Sequence, residues 1–183
     1  MSNNIRNQPM YCQSGNFETE NVAVDAYPGT LGSRVTVNTP TGATGKAGVG
    51  GKTYQRVLTD SGMAVAPFSG AVAWWADKSK SMVTTDPTKL GRGRVAGIFR
   101  NAITPGNIGF VQVEGTGNVF FVDTPTAAPS AAGLLVIPSA TAGKADCLAA
   151  GSAATYPIIG ETAGAVIGGS GQAPVEIAIP DTP

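Results

Sequence analysis

The stretch Lys46–Thr53, KAGVGGKT, comes closest to a known chemical motif. In a phosphate-binding loop, backbone amides cradle the phosphates, Lys reaches the outer ones and Ser/Thr holds magnesium. The spacing fails here. An ending at Gly51-Lys52-Thr53 requires glycine at position 46, which is Lys46. No buried strand leads into the stretch, and no long helix follows Thr53 to offer its N-terminus to phosphate. It reads as a glycine-rich link into the first core strand.

Other reactive arrangements are also missing. The chain has no histidine, which removes the commonest general base and zinc ligand. Ser-His-Asp and Cys-His arrangements are therefore impossible. Ser170 in GGSGQ lacks the spacing of a nucleophile elbow. Carboxylate pairs can cleave glycosides, and the candidates are Asp60, Asp77, Asp86, Glu114, Asp123, Asp146, Glu161 and Glu176. Most stand at turn positions, where Asp bends and caps backbone. Glu114 and Glu176 fall on solvent faces of strands. Cys12 and Cys147 read as two free thiols, with neither a disulfide framework nor a zinc spacing. The expectation is a protein that is not an enzyme and holds no cofactor or metal.

Two groups of residues are candidates for contact with a partner. Trp74 and Trp75 are adjacent on a strand and point to opposite faces. One faces the core; the other is expected at an interface, or at a sugar-binding platform. Arg92, Arg94 and Arg100, with Lys89, form a basic cluster suited to acidic residues of another protein. Nucleic-acid binding is not suggested, because 12 basic residues balance 12 acidic ones. Tyr11, Phe17 and Tyr27 are the aromatic contact candidates of the N-terminal segment.

The elements that position these groups are strands. Charged residues make up 13% of the 183-residue chain, against roughly 25% in ordinary soluble domains. A low-charge surface favours association with other protein. There are 25 glycines and 13 prolines, so turns are frequent and long helices are not expected. The polar N-terminus lacks the apolar core of a signal peptide, and no run reaches the roughly 18 apolar residues of a membrane span.

Residues 1–50 are rich in Asn, Thr and Gly, with short strands at Val22–Val24 and Arg34–Val37. They read as an extended arm that orders on a neighbouring subunit or a larger surface, or as a disordered tail. Residues 51–123 form a first β unit with strands at Tyr54–Leu58, Met63–Ala66, Ala71–Ala76, Met82–Thr84 and Asn118–Val122. Its clearest feature is the hairpin Gly91–Gly115, turned at Pro105-Gly106. Val95, Phe99, Val111 and Val113 are expected to face the core, with Arg94, Arg100, Gln112 and Glu114 outward. A Pro/Ala-rich link spans 124–133. A second unit, 134–183, repeats the order of the first: Leu134–Ile137 after Ala71–Trp75, Lys144–Leu148 after Met82–Thr84, Pro157–Gly160 after Val95–Gly97, and Pro174–Ile179 after Ile108–Glu114. A short helix is expected at most near 127–132 or 149–154. Short strands between Gly/Pro turns predict an all-β sandwich or barrel, in two related units packed together.

The succession AVAWWA, Val83-Thr84-Thr85-Asp86, RVAGIF, a Pro-Gly turn and GFVQVEG resembles capsid decoration (cement) proteins of tailed bacteriophages. The likeness covers Val65–Gly115 best and Leu134–Pro180 more loosely, and hardly touches residues 1–50. It implies a structural virion protein, made in the host cytoplasm, that forms homotrimers. The resemblance implies that it sits on the outer capsid surface, bridging subunits of the major capsid protein; the balanced charge separately predicts no contact with nucleic acid or membrane. Two other readings stand beside it: a tail or fibre component, and a carbohydrate-binding β module.

Overall fold

The computed structural model describes residues 21, 31–37, 51–89, 94–129, 132–154, 156–166 and 171–180. The proposed strand Val22–Val24 and the residues Tyr11, Cys12, Phe17, Tyr27, Arg92 and Ser170 lie outside the described residues.

Among the described residues, ten strands form one hydrogen-bonded sheet: β1 Arg34–Val37, β2 Lys52–Thr59, β3 Val72–Asp77, β4 Met82–Thr84, β5 Val95–Phe99, β6 Ile108–Phe120, β7 Leu135–Pro138, β8 Ala145–Cys147, β9 Gly160–Thr162 and β10 Gln172–Ala178. The fold is all-β, as its composition requires. Met63–Ala66 is not a strand, and Ala149–Ala154 is a turn rather than a helix. Asn118–Val122 is not separate: its first three residues continue β6. Lys52 and Thr53 already lie in β2, so no helix follows the glycine-rich stretch.

β2, β4, β3, β5 and β6 pair in that order, and β6 pairs back onto β2 from Ile108 to Glu114. This closes a five-stranded barrel. The β2–β4 seam is parallel and short, Leu58 to Met82 and Thr59 to Val83. β1 extends the sheet beside β2, so Arg34–Val37 of the N-terminal segment belong to the core sheet. A single turn of 3-10 helix, Lys78–Lys80, joins β3 to β4. The Asp77 carboxylate caps it by accepting from the Ser79 N–H at 3.1 Å, and Ser81 ends it at φ 50°. In the β5–β6 hairpin, Gly106 takes φ 88°. The Thr59 hydroxyl donates to Asn107 O at 2.8 Å, tying the turn to β2.

The remaining strands repeat this connectivity. β3 pairs with β4 and β5, and β5 with β6; likewise β7 pairs with β8 and β9, and β9 with β10, all antiparallel. β10 then pairs with the C-terminal half of β6, as β6 paired with β2. The repeat includes the parallel seam. Phe121, just past β6, makes a parallel bridge to Ala145 of β8, the counterpart of Thr59 with Val83. The N–H of Val122 donates to Ala145 O, as that of Asp60 donates to Val83 O. β6 therefore belongs to both units, closing the first and opening the second.

This sharing explains the length of β6 and its burial on two sides. Gly115, at φ 86°, marks an irregularity near its middle. Val111 pairs with Gln55 and Phe99 of the first barrel, while Val119 pairs with Ala173 of the second unit. Val95, Phe99, Val111 and Val113 are all buried, as the alternation predicts. Gln112 is not outward; it is fully buried. Its Nε2 donates to the carbonyls of Glu114, Gly115 and Thr116 at 3.0, 2.8 and 3.3 Å. It lies against Gly117, where an added Cβ would stand 2.5 Å from Gln112 Oε1. Ala96 and Ile98 of β5, on the strand parity that carries Arg94 and Arg100, are buried as well.

Candidate interaction surface

Both tryptophans are buried in the single chain, Trp74 at 1% and Trp75 at 5% exposure. The expectation that one of them faces a partner or a sugar is corrected. Barrel closure encloses the inner face of β3, and the outer face from Val72 to Trp75 is covered as well, since all four residues are buried on both parities. Trp75 pairs with Val83 and Trp74 with Thr84, all four buried. Arg100 is partly buried and donates from Nη1 to Asn118 O at 3.2 Å across the junction of the units. Arg94 is exposed, as predicted.

The carboxylates do backbone work. Asp60 accepts from the Gly62 N–H, and Asp86 from the N–H and hydroxyl of Thr88. These Thr88 bonds hold the Asp86 carboxyl below the usual aspartate range. Asp146 binds the N–H of Thr126 at 2.7 Å and the Thr126 hydroxyl at 2.7 Å, which fastens the 124–133 segment onto the second unit. Gly133 adds an N–H bond to Thr162 O. Cys147 is a buried core thiol, raised to about 11 by desolvation and by neighbouring Asp146.

The surface that stands out comes from comparing the two units by register. Val72 and Ile98 face each other across β3–β5, and Ile98 faces Gln112 across β5–β6. Their counterparts are Leu135, Glu161 and Glu176, facing one another across β7–β9 and β9–β10. In the first barrel this row is fully buried. Val72 and Ile98 join Val119, Ala145 and Val175 of the second unit in one core cluster, and the Val72 N–H donates to Gly143 O. In the second unit Leu135 is half-buried and both glutamates are exposed.

This open row floors a shallow groove of about 590 Å³, lined mainly by Leu135, Pro157, Ile158, Ala178 and Pro180 beside Glu161 and Glu176. Ile158 is 41% exposed, one of three large hydrophobic residues left so open among the described residues. Glu161 and Glu176 are directly opposed, an unfavourable like-charge pair. Thr116 Oγ1 hydrogen-bonds Glu176 Oε2 at 2.6 Å, while no described basic side chain pairs with either glutamate.

Beyond Pro180 lies a basic rim. Arg34, Gln55, Trp75, Lys78, Ile179 and Pro180 surround a small concavity at the end of the first barrel. Arg94 adjoins it, its carbonyl accepting from the Trp75 N–H. The alternation in β10 placed Glu176 on the solvent side. That Glu161 stands opposite it, and that the same face is covered in the first barrel, needed the strand register. Comparison of the chain with family models, curated proteins and solved structures gives no match.

Proposed function

We propose that this chain is a structural virion protein that decorates the outside of a tailed-phage capsid and stabilises it by bridging major capsid protein subunits. The resemblance of its strand succession to cement proteins motivates the reading. The observation that carries it is the open, apolar, acid-rimmed face of the second unit, which suits the copy-to-copy association of a subunit that works in a lattice. The first barrel and second unit form a continuous strand-linked scaffold, so that face is held on regular structure. Many copies on a shell would multiply modest contacts into a large collective stabilisation. The carbohydrate-binding alternative loses its motivation, because neither tryptophan is exposed.

The test is addition of purified protein to shells built from the major capsid protein of the same genome. Electron cryomicroscopy should show regular outer-surface density, and the decorated shells should resist heating better than bare ones. Removing residues 1–30, which leaves β1 intact, should reduce occupancy without unfolding the barrel. Shells that stay bare at saturating protein would overturn the reading.

A further inference from the structure

The two units differ in what covers the same face. In the first barrel, the row Val72, Ile98 and Gln112 is fully buried, and Val72 and Ile98 share one core cluster with residues of the second unit. In the second unit the equivalent row, Leu135, Glu161 and Glu176, has nothing described over it. Among the described residues, the fold thus repeats its strands and leaves its last packing face open. Ile158, Pro157 and Ala178 supply apolar surface there, and the opposed glutamates repel each other until a cation meets them. Complementary charge is present on the chain itself. Lys78 and Arg94 lie at the end of the first barrel, and no described acidic side chain forms an ion pair with either. Pro180 borders both the groove and the basic concavity, so the two patches adjoin.

We propose that a second copy of this chain docks in the open groove of the second unit, bringing Lys78 and Arg94 of its first barrel to Glu161 and Glu176. This locates the self-association within the reading above and rests on that part of it alone. A cation between the glutamates relieves their repulsion, and Ile158 loses its exposure to water. Because donor and acceptor patches differ, copies can add head to tail, and a ring closes if the rotation between copies allows it.

The experiment uses the full-length chain in sedimentation velocity, at several protein concentrations and two salt concentrations. The wild type should self-associate, less strongly at high salt. Glu161→Arg, Glu176→Arg and Arg94→Glu should each weaken association about tenfold or more. Ile158→Asp should do the same. The double variant Glu161→Arg/Arg94→Glu should recover most of the loss, because the reversed charges meet again. Thermal melts by circular dichroism would confirm that each variant is folded. A wild type that stays monomeric throughout would overturn the proposal, as would single variants that associate normally or a double variant with no recovery. Shell binding is measured separately, so bare shells with intact self-association would defeat only the capsid reading.

Discussion

Gly97 and Gly160 occupy the same place in the two units: Gly97 faces Ala73 across β3–β5, and Gly160 faces Val136 across β7–β9. Both places exclude a side chain. A Cβ on Gly97 would stand 2.6 Å from Val111 Cβ, and one on Gly160 would stand 1.9 Å from Glu176 O. The neighbour of Gly97 is a side chain, whereas that of Gly160 is main chain in a paired strand. Gly160→Ala must therefore displace β10, and it is expected to cost about 3 kcal/mol or more, with Gly97→Ala somewhat less. Urea unfolding midpoints measure both. Wild-type stability in Gly160→Ala would contradict the close approach.

The pattern of residues made much of this architecture legible. Alternation in RVAGIF and GFVQVEG marked Val95, Phe99, Val111 and Val113 as core, and all four are buried. The matched succession of the second half is matched in hydrogen-bonded register. What misled was the assumption that a strand has one wet face. β3 stands in the wall of a closed barrel whose outer face is also covered there, and β6 in the walls of two units, and Trp74, Trp75 and Gln112 are all buried. Local periodicity cannot register such closure, because it depends on pairing between strands far apart in the chain. The Glu161–Glu176 opposition was hidden for the same reason.

The enclosure of both tryptophans leads to a second prediction. Trp75→Ala and Trp74→Ala should each destabilise the chain by about 3–5 kcal/mol, since each leaves a large cavity. Trp74 Nε1 is buried without a hydrogen-bond partner, so Trp74→Phe loses no hydrogen bond and should cost only about 1–2 kcal/mol. Native fluorescence should be blue-shifted and poorly quenched by iodide. Strong quenching of either tryptophan would show that it is open to solvent.

Gln112 is expected to be structural. Its Nε2 reaches three consecutive carbonyls around Gly115, where β6 passes from one unit to the next. Gln112→Leu keeps comparable bulk but removes the donor, leaving buried carbonyl acceptors less well satisfied at a cost of about 1–3 kcal/mol. Hydrogen exchange should then speed up around 114–117 more than in β3. A uniform change across the sheet would argue against a local role.

The pH dependence of stability tests the burial of Cys147. Its folded-state value is about 11, against an ordinary value of 9.0. Well below pH 9 the thiol is protonated in both folded and unfolded chains and contributes no slope. Between 9 and about 11 the unfolded chain releases the proton while the folded one keeps it, so stability falls as pH rises. Other groups titrate in that range, so the difference from Cys147→Ala isolates the effect: the wild type should lose more stability than the variant between pH 8.5 and 10.5, as the cited shift requires. In a Cys12→Ser background, Ellman's reagent should leave the native thiol unreacted at pH 8 and label it on unfolding. Rapid labelling of the native chain, or identical pH slopes with and without the thiol, would show that Cys147 is not enclosed as the β7–β8 pairing places it.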